Sequence, residues 1–487
     1  MRQPREIVQL RRRMAAVLAS FLLLPGQLVF AGGPLVVGGP AEGLSGIPLV
    51  WDNSKPISYR VDSGPLSQLP NGGGVVIDNA HGLTRVQNMF ANWSAVPTAN
   101  LSITDAGGLL AVGTFPANGD VKTVNDFLTV AGDVTGQAPD PNSCNGGGQS
   151  PIMFDADGSI FDGLGLPPEV IGFAFQCAFN PTTGKIISAG AILNGRFQDG
   201  INNPSANNFE LTSAEFDQAF THEFGHFLGL GHSQINVDVL LNAINTGVPN
   251  CSIDDNAGMP LMFPVIGLCT AKTTAGLPIL AEDDAAWISK LYPVPAPPPA
   301  GKTSFSKAYG SISGTVFFSD GVTPAQGVNV IARNVTLPRR NAASAVSGFS
   351  FTGNPGQTVT CVNPAAPTPQ TCSNLGGDPF GSRDPALIGH FEIPLPPGTY
   401  TLQVESVFSG FGGGSRVGPL DPPIPAPGTY SSVATVSVTV GATTSFNITL
   451  QGTQPRFDAF ESAFLLAPYP KPVWLRREQN ISERQPT

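Results

Sequence analysis

One stretch of the chain decides the fold: His222-Glu223-Phe224-Gly225-His226-Phe227-Leu228-Gly229-Leu230-Gly231-His232. It fits the pattern HExxHxxGxxH at every fixed position and holds three of the chain's five histidines. His222 and His226 are four residues apart, so a helix projects both from one face, with Glu223 beside them. Gly229 permits the positive φ that ends a helix and turns the chain back. His232 then reaches the same point, and the stretch predicts two metal ligands on a helix and a third after a turn.

This set of side chains predicts a catalytic metal site. Three neutral imidazoles, from His222, His226 and His232, leave a fourth position for water, which is typical of a catalytic zinc ion rather than a closed structural one. Zinc lowers the pKa of that water toward about 7 and polarises a carbonyl group, and Glu223 is the candidate general base. The alternative is a structural or inactive metal site. Glu223, and the lack of a cysteine in the stretch, favour the catalytic interpretation.

The residues before the stretch predict where its helix begins and which side is buried. Thr212-Ser213-Ala214-Glu215 has the form of a capping box, with Thr212 as the N-cap and Glu215 at the third helical position. An aromatic stripe lies away from the histidines and comprises Phe216, Phe220, Phe224 and Phe227. We therefore expect a helix that is anchored in a core by its phenylalanines while its histidine face stays open.

Together these residues resemble the metzincin metalloproteases, and within them the matrixins. Ser233 directly after the third histidine is the matrixin form, and Leu261-Met262-Phe263-Pro264 resembles the Met-turn. By this resemblance Met262 lies under the zinc and is not a ligand. The segment from Leu280 to Tyr292 resembles the family's C-terminal helix with its pair of acids, Asp283 and Asp284. Those two acids equally suit a helix N-terminus, where they complement the helix dipole.

The resemblance covers roughly residues 45–293 and implies an α/β (α+β) domain with a twisted sheet, a zinc helix and a cleft. Trp51 to Tyr59 and Phe90 to Ser94 are similar to the family's first strand and first helix. It also implies that Ile186 to Leu193 is an edge strand that binds substrate by backbone pairing, and that Pro264 to Ile266 lines a substrate pocket. One catalytic zinc is expected, since only His81 and His390 remain for a second site.

The N-terminus predicts export. Residues 2–13 contain five arginines, Met14 to Leu24 is apolar apart from Ser20, and Val29-Phe30-Ala31 resembles a cleavage site. This order is typical of a secretory signal over residues 1–31, and a stretch of eleven residues is too short to span a bilayer. The alternative is an uncleaved anchor. No other stretch is long enough to cross a membrane, so we expect a secreted protein, extracellular or periplasmic.

Charge and cysteine content agree with that expectation. The net charge of −10 provides no basic stripe for a nucleic acid. Six cysteines allow fifteen pairings. Nearest-neighbour pairing is favoured because each bridge then lies within one putative domain, and it joins Cys144 to Cys177, Cys251 to Cys269 and Cys361 to Cys372.

A weaker pattern predicts calcium. In the run from Asp155 to Asp162, the carboxylates of Asp155, Asp157 and Asp162 offer hard oxygen ligands. The fit to an EF-hand loop is poor because position five is a serine and position twelve is not a glutamate. A polar turn with Asx hydrogen bonds is an equally good interpretation.

The rest of the chain predicts a second domain. A proline-rich linker at 294–305 is expected to be extended and semi-rigid, and it separates the matrixin-like domain at 32–293 from an all-β sandwich at 306–452. The alternating run Gly314-Thr315-Val316 and the turn Pro396-Pro397-Gly398 resemble carboxypeptidase-regulatory-like domains. Residues 453–487 show no clear pattern and are expected to be a disordered tail.

The sequence therefore predicts a secreted zinc endopeptidase whose partner is a protein or peptide substrate; it does not define an oligomeric state. A secreted adhesion or matrix-binding protein with an inactive protease-like domain is the alternative. A metal-dependent amidase or sugar deacetylase is a third interpretation, and the third histidine and the Met-turn disfavour it.

Overall fold

The computed structural model describes residues 33–35, 44, 47–132, 149–166, 168–180, 182–202, 209–325, 328–348, 388–406, 430 and 435–451. It also gives the backbone of 358–361 and 370–373. The predicted signal segment, the tail at 453–487 and Cys144 lie outside these residues. Within the described ranges, every helix is too short or too polar to cross a membrane.

The N-terminal half is built on a six-stranded sheet and a small hairpin. Its strands are β1 (Val50–Trp51), β2 (Ile57–Val61), β3 (Ser67–Gln68), β4 (Val75–Ile77), β5 (Ile103–Gly108), β6 (Pro151–Asp155), β7 (Gly172–Phe179) and β8 (Lys185–Asn194). The sheet order is β1-β8-β6-β2-β5, all parallel, while β7 pairs antiparallel with β8. Strands β3 and β4 form the separate hairpin.

Eight α-helices lie among the described residues. They are α1 (Asn79–Ser94), α2 (Val124–Ala131), α3 (Ser159–Gly163), α4 (Ser213–Phe227), α5 (Val237–Thr246), α6 (Ile253–Gly258), α7 (Glu282–Leu291) and α8 (Phe305–Ala308). A short 3-10 helix spans Gly195–Gln198.

Helices α1 and α4 pack together through aromatic side chains. The rings of Phe90 and Phe224 stack with their centroids 4.0 Å apart. All four phenylalanines of the predicted stripe are fully buried, and burying each one stabilises the fold by about 1.5–3 kcal/mol. Trp51 of β1 donates from Nε1 to the Phe227 carbonyl at 2.8 Å, so the C-terminal end of α4 is fixed to the sheet.

The structure corrects the predicted edge strand. The stretch Ile186 to Leu193 lies within β8, which pairs with β7 on one side and with β6 and β1 at its two ends. Strand β7 pairs only with β8 among the described strands, and it packs against α4. Ile186 to Leu193 is apolar apart from Ser188, and such a run is typical of an interior strand rather than an edge strand.

The proline-rich segment is not the extended spacer that its composition predicts. It folds back onto the C-terminal end of α1: Val294 N donates to the Thr98 carbonyl at 3.3 Å, and Thr303 N donates to the Pro97 carbonyl at 2.9 Å. Lys302 Nζ donates to the Ser94 carbonyl at 2.9 Å. The proline-rich composition favours an extended polyproline II conformation, but these tertiary hydrogen bonds hold the segment against α1 instead.

The described part of the C-terminal half is built mainly of β-strands. They are β9 (Gly310–Phe317), β10 (Val328–Asn334), β11 (Ala342–Val346), β12 (Thr358–Cys361), β13 (Gln370–Ser373), β14 (His390–Leu395), β15 (Gly398–Ser406), β16 (Val436–Val438), β17 (Thr443–Ser445) and β18 (Ile448–Thr449). One four-stranded sheet has the order β11-β10-β15-β16, and a second joins β14, β9, β17 and β18. Strands β12 and β13 pair with each other; the Cys361 and Cys372 side chains lie outside the described atoms.

The two halves share one apolar cluster. It includes Trp287 and Ile288 of α7 together with Phe391 and Ile393 of β14. Lys290 of α7 also forms a 2.5 Å ion pair with Glu392. The boundary at 294–305 therefore separates two regions of the sequence that pack directly on one another.

Candidate metal centre

Local signals fix the helix that carries the first two histidines. The Thr212 side chain accepts a hydrogen bond from Glu215 N at 3.2 Å, and Glu215 Oε2 accepts one from Thr212 N at 2.9 Å, which completes the capping box. Helix α4 ends at Phe227, and Gly229 follows with φ 93°. Leu230 N donates to the Gly225 carbonyl at 2.9 Å. The turn that the glycine permits leads directly into His232.

Three imidazoles converge at the end of this turn. The Nε2 atoms of His222 and His226 are 3.1 Å apart, and those of His226 and His232 are also 3.1 Å apart. All three side chains are buried. Among the described residues, these three histidines form the one group of at least three potential metal ligands whose donor atoms all lie within 4.8 Å of one another.

The hydrogen bonds of the two helical histidines define which nitrogen is free to bind a metal. His222 Nδ1 lies 2.7 Å from the Leu261 carbonyl, and His226 Nδ1 lies 2.7 Å from the Leu230 carbonyl. A carbonyl oxygen only accepts, so each Nδ1 carries the proton and each neutral ring presents an Nε2 lone pair. Two lone pairs at 3.1 Å repel, and a cation between them removes that repulsion.

The donor set fits zinc. Tetrahedral coordination with Zn–N distances of about 2.0–2.1 Å places neighbouring nitrogens about 3.3–3.4 Å apart, close to the observed separations. Burial lowers the pKa of His222 to about 4 and that of His226 to about 3, and lowers the pKa of His232 as well. The three rings are therefore neutral at pH 7, and no proton has to leave before a metal binds.

Glu223 stands between the histidines and strand β7. Its Oε2 accepts a hydrogen bond from Ala174 N at 2.9 Å. Although the side chain keeps partial exposure, desolvation by the surrounding protein raises the pKa of its carboxyl to about 8. The positive charge of a metal in the histidine site would lower that pKa again, because it favours the carboxylate.

Met262 lies beneath the histidine helix. A Cβ built on Gly225 would be 2.3 Å from Met262 Sδ, so only a glycine leaves room for this contact. Asp284 accepts hydrogen bonds from Leu261 N at 2.7 Å and Met262 N at 3.1 Å, and also from Ala281 N at the start of α7. Asp284 therefore lies in the first turn of α7, as the helix-dipole interpretation expects, and its carboxylate also holds the turn at Met262.

Asp283 bonds to partners outside its own helix. Its Oδ1 accepts a hydrogen bond from Ser344 N of β11 at 2.8 Å, and its carboxyl also bonds the Ser233 side chain. Burial raises its pKa to about 8. The contact joins the N-terminal half to the β-region, and no local signal in the sequence predicts it.

A disulfide joins Cys251 to Cys269, with Cα atoms 5.6 Å apart, and it brackets the segment that contains Met262. This is one of the pairs that nearest-neighbour spacing favours. Cys177 is also disulfide-bonded, but its predicted partner Cys144 lies outside the described residues.

The three acids of the predicted calcium site do not converge. Asp155 accepts a hydrogen bond from Phe161 N at 2.8 Å, and Asp157 accepts one from Ser159 N at 3.0 Å. Asp162 instead pairs with Arg196 at 2.5 Å. The polar-turn interpretation therefore describes this run, because turn N–H groups and an arginine 34 residues away take the oxygens that calcium would need.

Comparison with known proteins adds little. No protein-family model matches the chain, and no curated protein matches it. Among solved structures, the chain is similar at 15% identity to part of a leucine-rich repeat protein from Bacteroides thetaiotaomicron, with a TM-score of 0.15. That match covers 34% of this chain and 17% of the other. A likeness this slight does not bear on the fold or the function.

Proposed function

We propose that this chain is a secreted, zinc-dependent endopeptidase. The observation that carries the proposal is the convergence of three unprotonated imidazole nitrogens beside a carboxylate. His222, His226 and His232 would hold the ion, consistent with the matrixin resemblance of their motif. A zinc ion on three imidazoles lowers the pKa of water toward about 7 and polarises a carbonyl group.

Glu223 has the role of general base and acid in this proposal. The hydrogen bond from Ala174 N fixes Oε2 and so orients the carboxylate beside the histidines. The carboxylate accepts a proton and then delivers it to the nitrogen of the departing amine. Its orientation is set by a strand of the sheet, which is rigid compared with a loop.

Strand β7 supports an extended peptide as the substrate. Ala174 lies on β7 opposite Ala191 of β8, and its N–H points away from β8 toward Glu223. A peptide that pairs with this side of β7 brings its backbone beside the carboxylate, and backbone pairing supplies affinity without requiring one sequence. The substrate strand is thus proposed for β7 rather than for the predicted Ile186 to Leu193.

The proposed substrate pocket at Pro264 to Ile266 rests on the matrixin resemblance, and Val265 lies at its centre. Val265 is buried in an apolar cluster with Val237 and Leu240 of α5, while Ile266 is only partly buried. A pocket with such a wall favours an apolar substrate side chain, and the Cys251–Cys269 disulfide braces the segment that forms it.

Hydrolysis of labelled casein by the chain without its signal segment tests the proposal. Wild type is compared with Glu223→Gln, and Glu215→Gln serves as the matched control because glutamine preserves a capping box. We expect chelator-sensitive cleavage in wild type and Glu215→Gln, and a loss of at least about 100-fold in Glu223→Gln. An inert wild type with zinc bound would favour the adhesion alternative, and equal activity in both variants would exclude Glu223 as the base.

A further inference from the structure

His232 depends on its surroundings more than the other two histidines do. His222 and His226 are held by the hydrogen-bond ladder of α4, whereas residues 231–236 form neither helix nor strand. A segment without its own ladder is held only by contacts from elsewhere in the fold. The elements that contact 233–236 therefore decide how well the third imidazole is positioned.

Several of those contacts come from the C-terminal β-region. Asn329 of β10 donates from Nδ2 to the Gln234 carbonyl at 2.7 Å, and Gln234 Nε2 donates to Glu405 of β15 at 2.7 Å. Arg333 of β10 donates from Nη1 to Asn236 Oδ1 at 2.9 Å. Asn329 and Gln234 are fully buried, so these hydrogen bonds form where water does not compete for them.

The same segment is held at its first residue. Ser233 N donates to the Met262 carbonyl at 2.9 Å, and Ser233 Oγ lies 3.2 Å from Ser344 Oγ of β11. Trp287 Nε1 donates to the Ser344 carbonyl at 2.9 Å. Ser344 is thus fixed to α7, and through Ser233 it is connected both to the residue after His232 and to Met262.

The connection between β10 and β11 holds the far end of the segment. Asn236 adopts the left-handed conformation, with φ 59°, and its Nδ2 donates to the Arg339 carbonyl at 2.9 Å. The Arg339 guanidinium pairs with Asp238 of α5 at 2.9 Å and with Asp255 of α6. The segment between His232 and Met262 therefore provides the surface on which this connection lies.

We propose that strands β10, β11 and β15 of the C-terminal region position the third metal ligand. Asn329 and Arg333 are positioning residues: they hold residues 234–236 and so limit the movement of the His232 imidazole. The inference rests on the proposed metal site, but it concerns a different property, namely the order of the segment. It also assigns the β-region a role beyond attachment or general stability.

Two substitutions remove these contacts at nearly constant size. Asn329→Leu removes the donor to the Gln234 carbonyl, and Arg333→Met removes the guanidinium from Asn236. Leu402→Ala is the matched control, because Leu402 is fully buried in β15 and its neighbour Gln403 takes the side that meets Arg333. It destabilises the same sheet and leaves the contacts to 233–236 in place.

Two readouts, taken well below the melting temperature, decide the proposal. In the metal-free full chain, we expect amide hydrogens of residues 233–236 to exchange at least about tenfold faster in Asn329→Leu and Arg333→Met than in wild type and Leu402→Ala. The zinc dissociation constant, measured by competition with a chelating dye, should rise about tenfold in the same two variants. Should one variant fail to fold, the other still tests the proposal.

Unchanged exchange and zinc affinity in the folded interface variants would overturn the proposal, as would an equal effect in Leu402→Ala. If wild type binds no zinc at all, the proposed function fails. The exchange rates still decide whether the β-region orders the segment.

Discussion

Helix propensity alone predicts that Gly225→Ala stabilises the chain, whereas the contact between Gly225 and Met262 predicts that it destabilises the chain. In a helix interior, Gly→Ala stabilises by about 1 kcal/mol. A Cβ at Gly225, however, would lie 2.3 Å from Met262 Sδ and 2.9 Å from Trp93 Cζ2, whereas non-bonded atoms prefer about 3.5–4.0 Å. Both neighbours are buried, so little space is free for them to move. We expect Gly225→Ala to lower the free energy of unfolding by about 1–3 kcal/mol.

A double-mutant cycle with Met262→Ala isolates the contact. Met262→Ala alone should cost about 2–5 kcal/mol. In that background the added methyl group at Gly225 meets only Trp93, so its cost should fall by about 1–2 kcal/mol. Urea unfolding of the metal-free chain measures all four corners of the cycle. Additivity within about 0.5 kcal/mol, or a more stable Gly225→Ala, would refute the reasoning.

Three further predictions follow from residues around the centre. Gly229→Ala should cost about 1–2 kcal/mol in urea unfolding because φ is 93° there; no loss would contradict the turn. Replacing both Cys251 and Cys269 with serine should cost about 3 kcal/mol, since the bridge spans 18 residues, and reductant should then have no further effect on that region. Asp283 has a pKa of about 8 in the fold against 3.8 unfolded, so its protonation stabilises the fold at low pH and that stabilisation declines between about pH 4 and 8. The melting temperature of Asp283→Asn should therefore fall less than that of wild type over this range, and equal slopes would exclude Asp283 as the source.

Local signals in the sequence account for the helix at the centre. The Thr212 capping box, the buried phenylalanine stripe and the positive φ of Gly229 all lie where the residues predict them. Each depends on neighbours within a few positions, and that is the range over which side chains compete for backbone groups. The ligand motif belongs to the same class of signal, because its spacing is set by one helix and one turn.

The features that the sequence could not predict depend on distant partners. Strand β7 is recognised as the outer strand only once its pairing with β8 is known. The predicted calcium ligands do not converge because Arg196, which follows the neighbouring strand β8, pairs with Asp162. The hydrogen bond from Asn329 to Gln234 joins residues 95 positions apart. Such contacts arise from packing. Hydrophobic periodicity shows which face of a helix or strand is buried, but not which element packs against that face.

The most direct test of the central claim is the metal content and coordination of the purified chain. Elemental analysis and X-ray absorption should find one zinc ion per chain, with three imidazole nitrogens at about 2.0–2.1 Å, and His226→Ala should lose the ion while Glu223→Gln retains it. A chain that takes up no zinc, or zinc that remains bound in His226→Ala with unchanged coordination, would contradict a centre built from His222, His226 and His232.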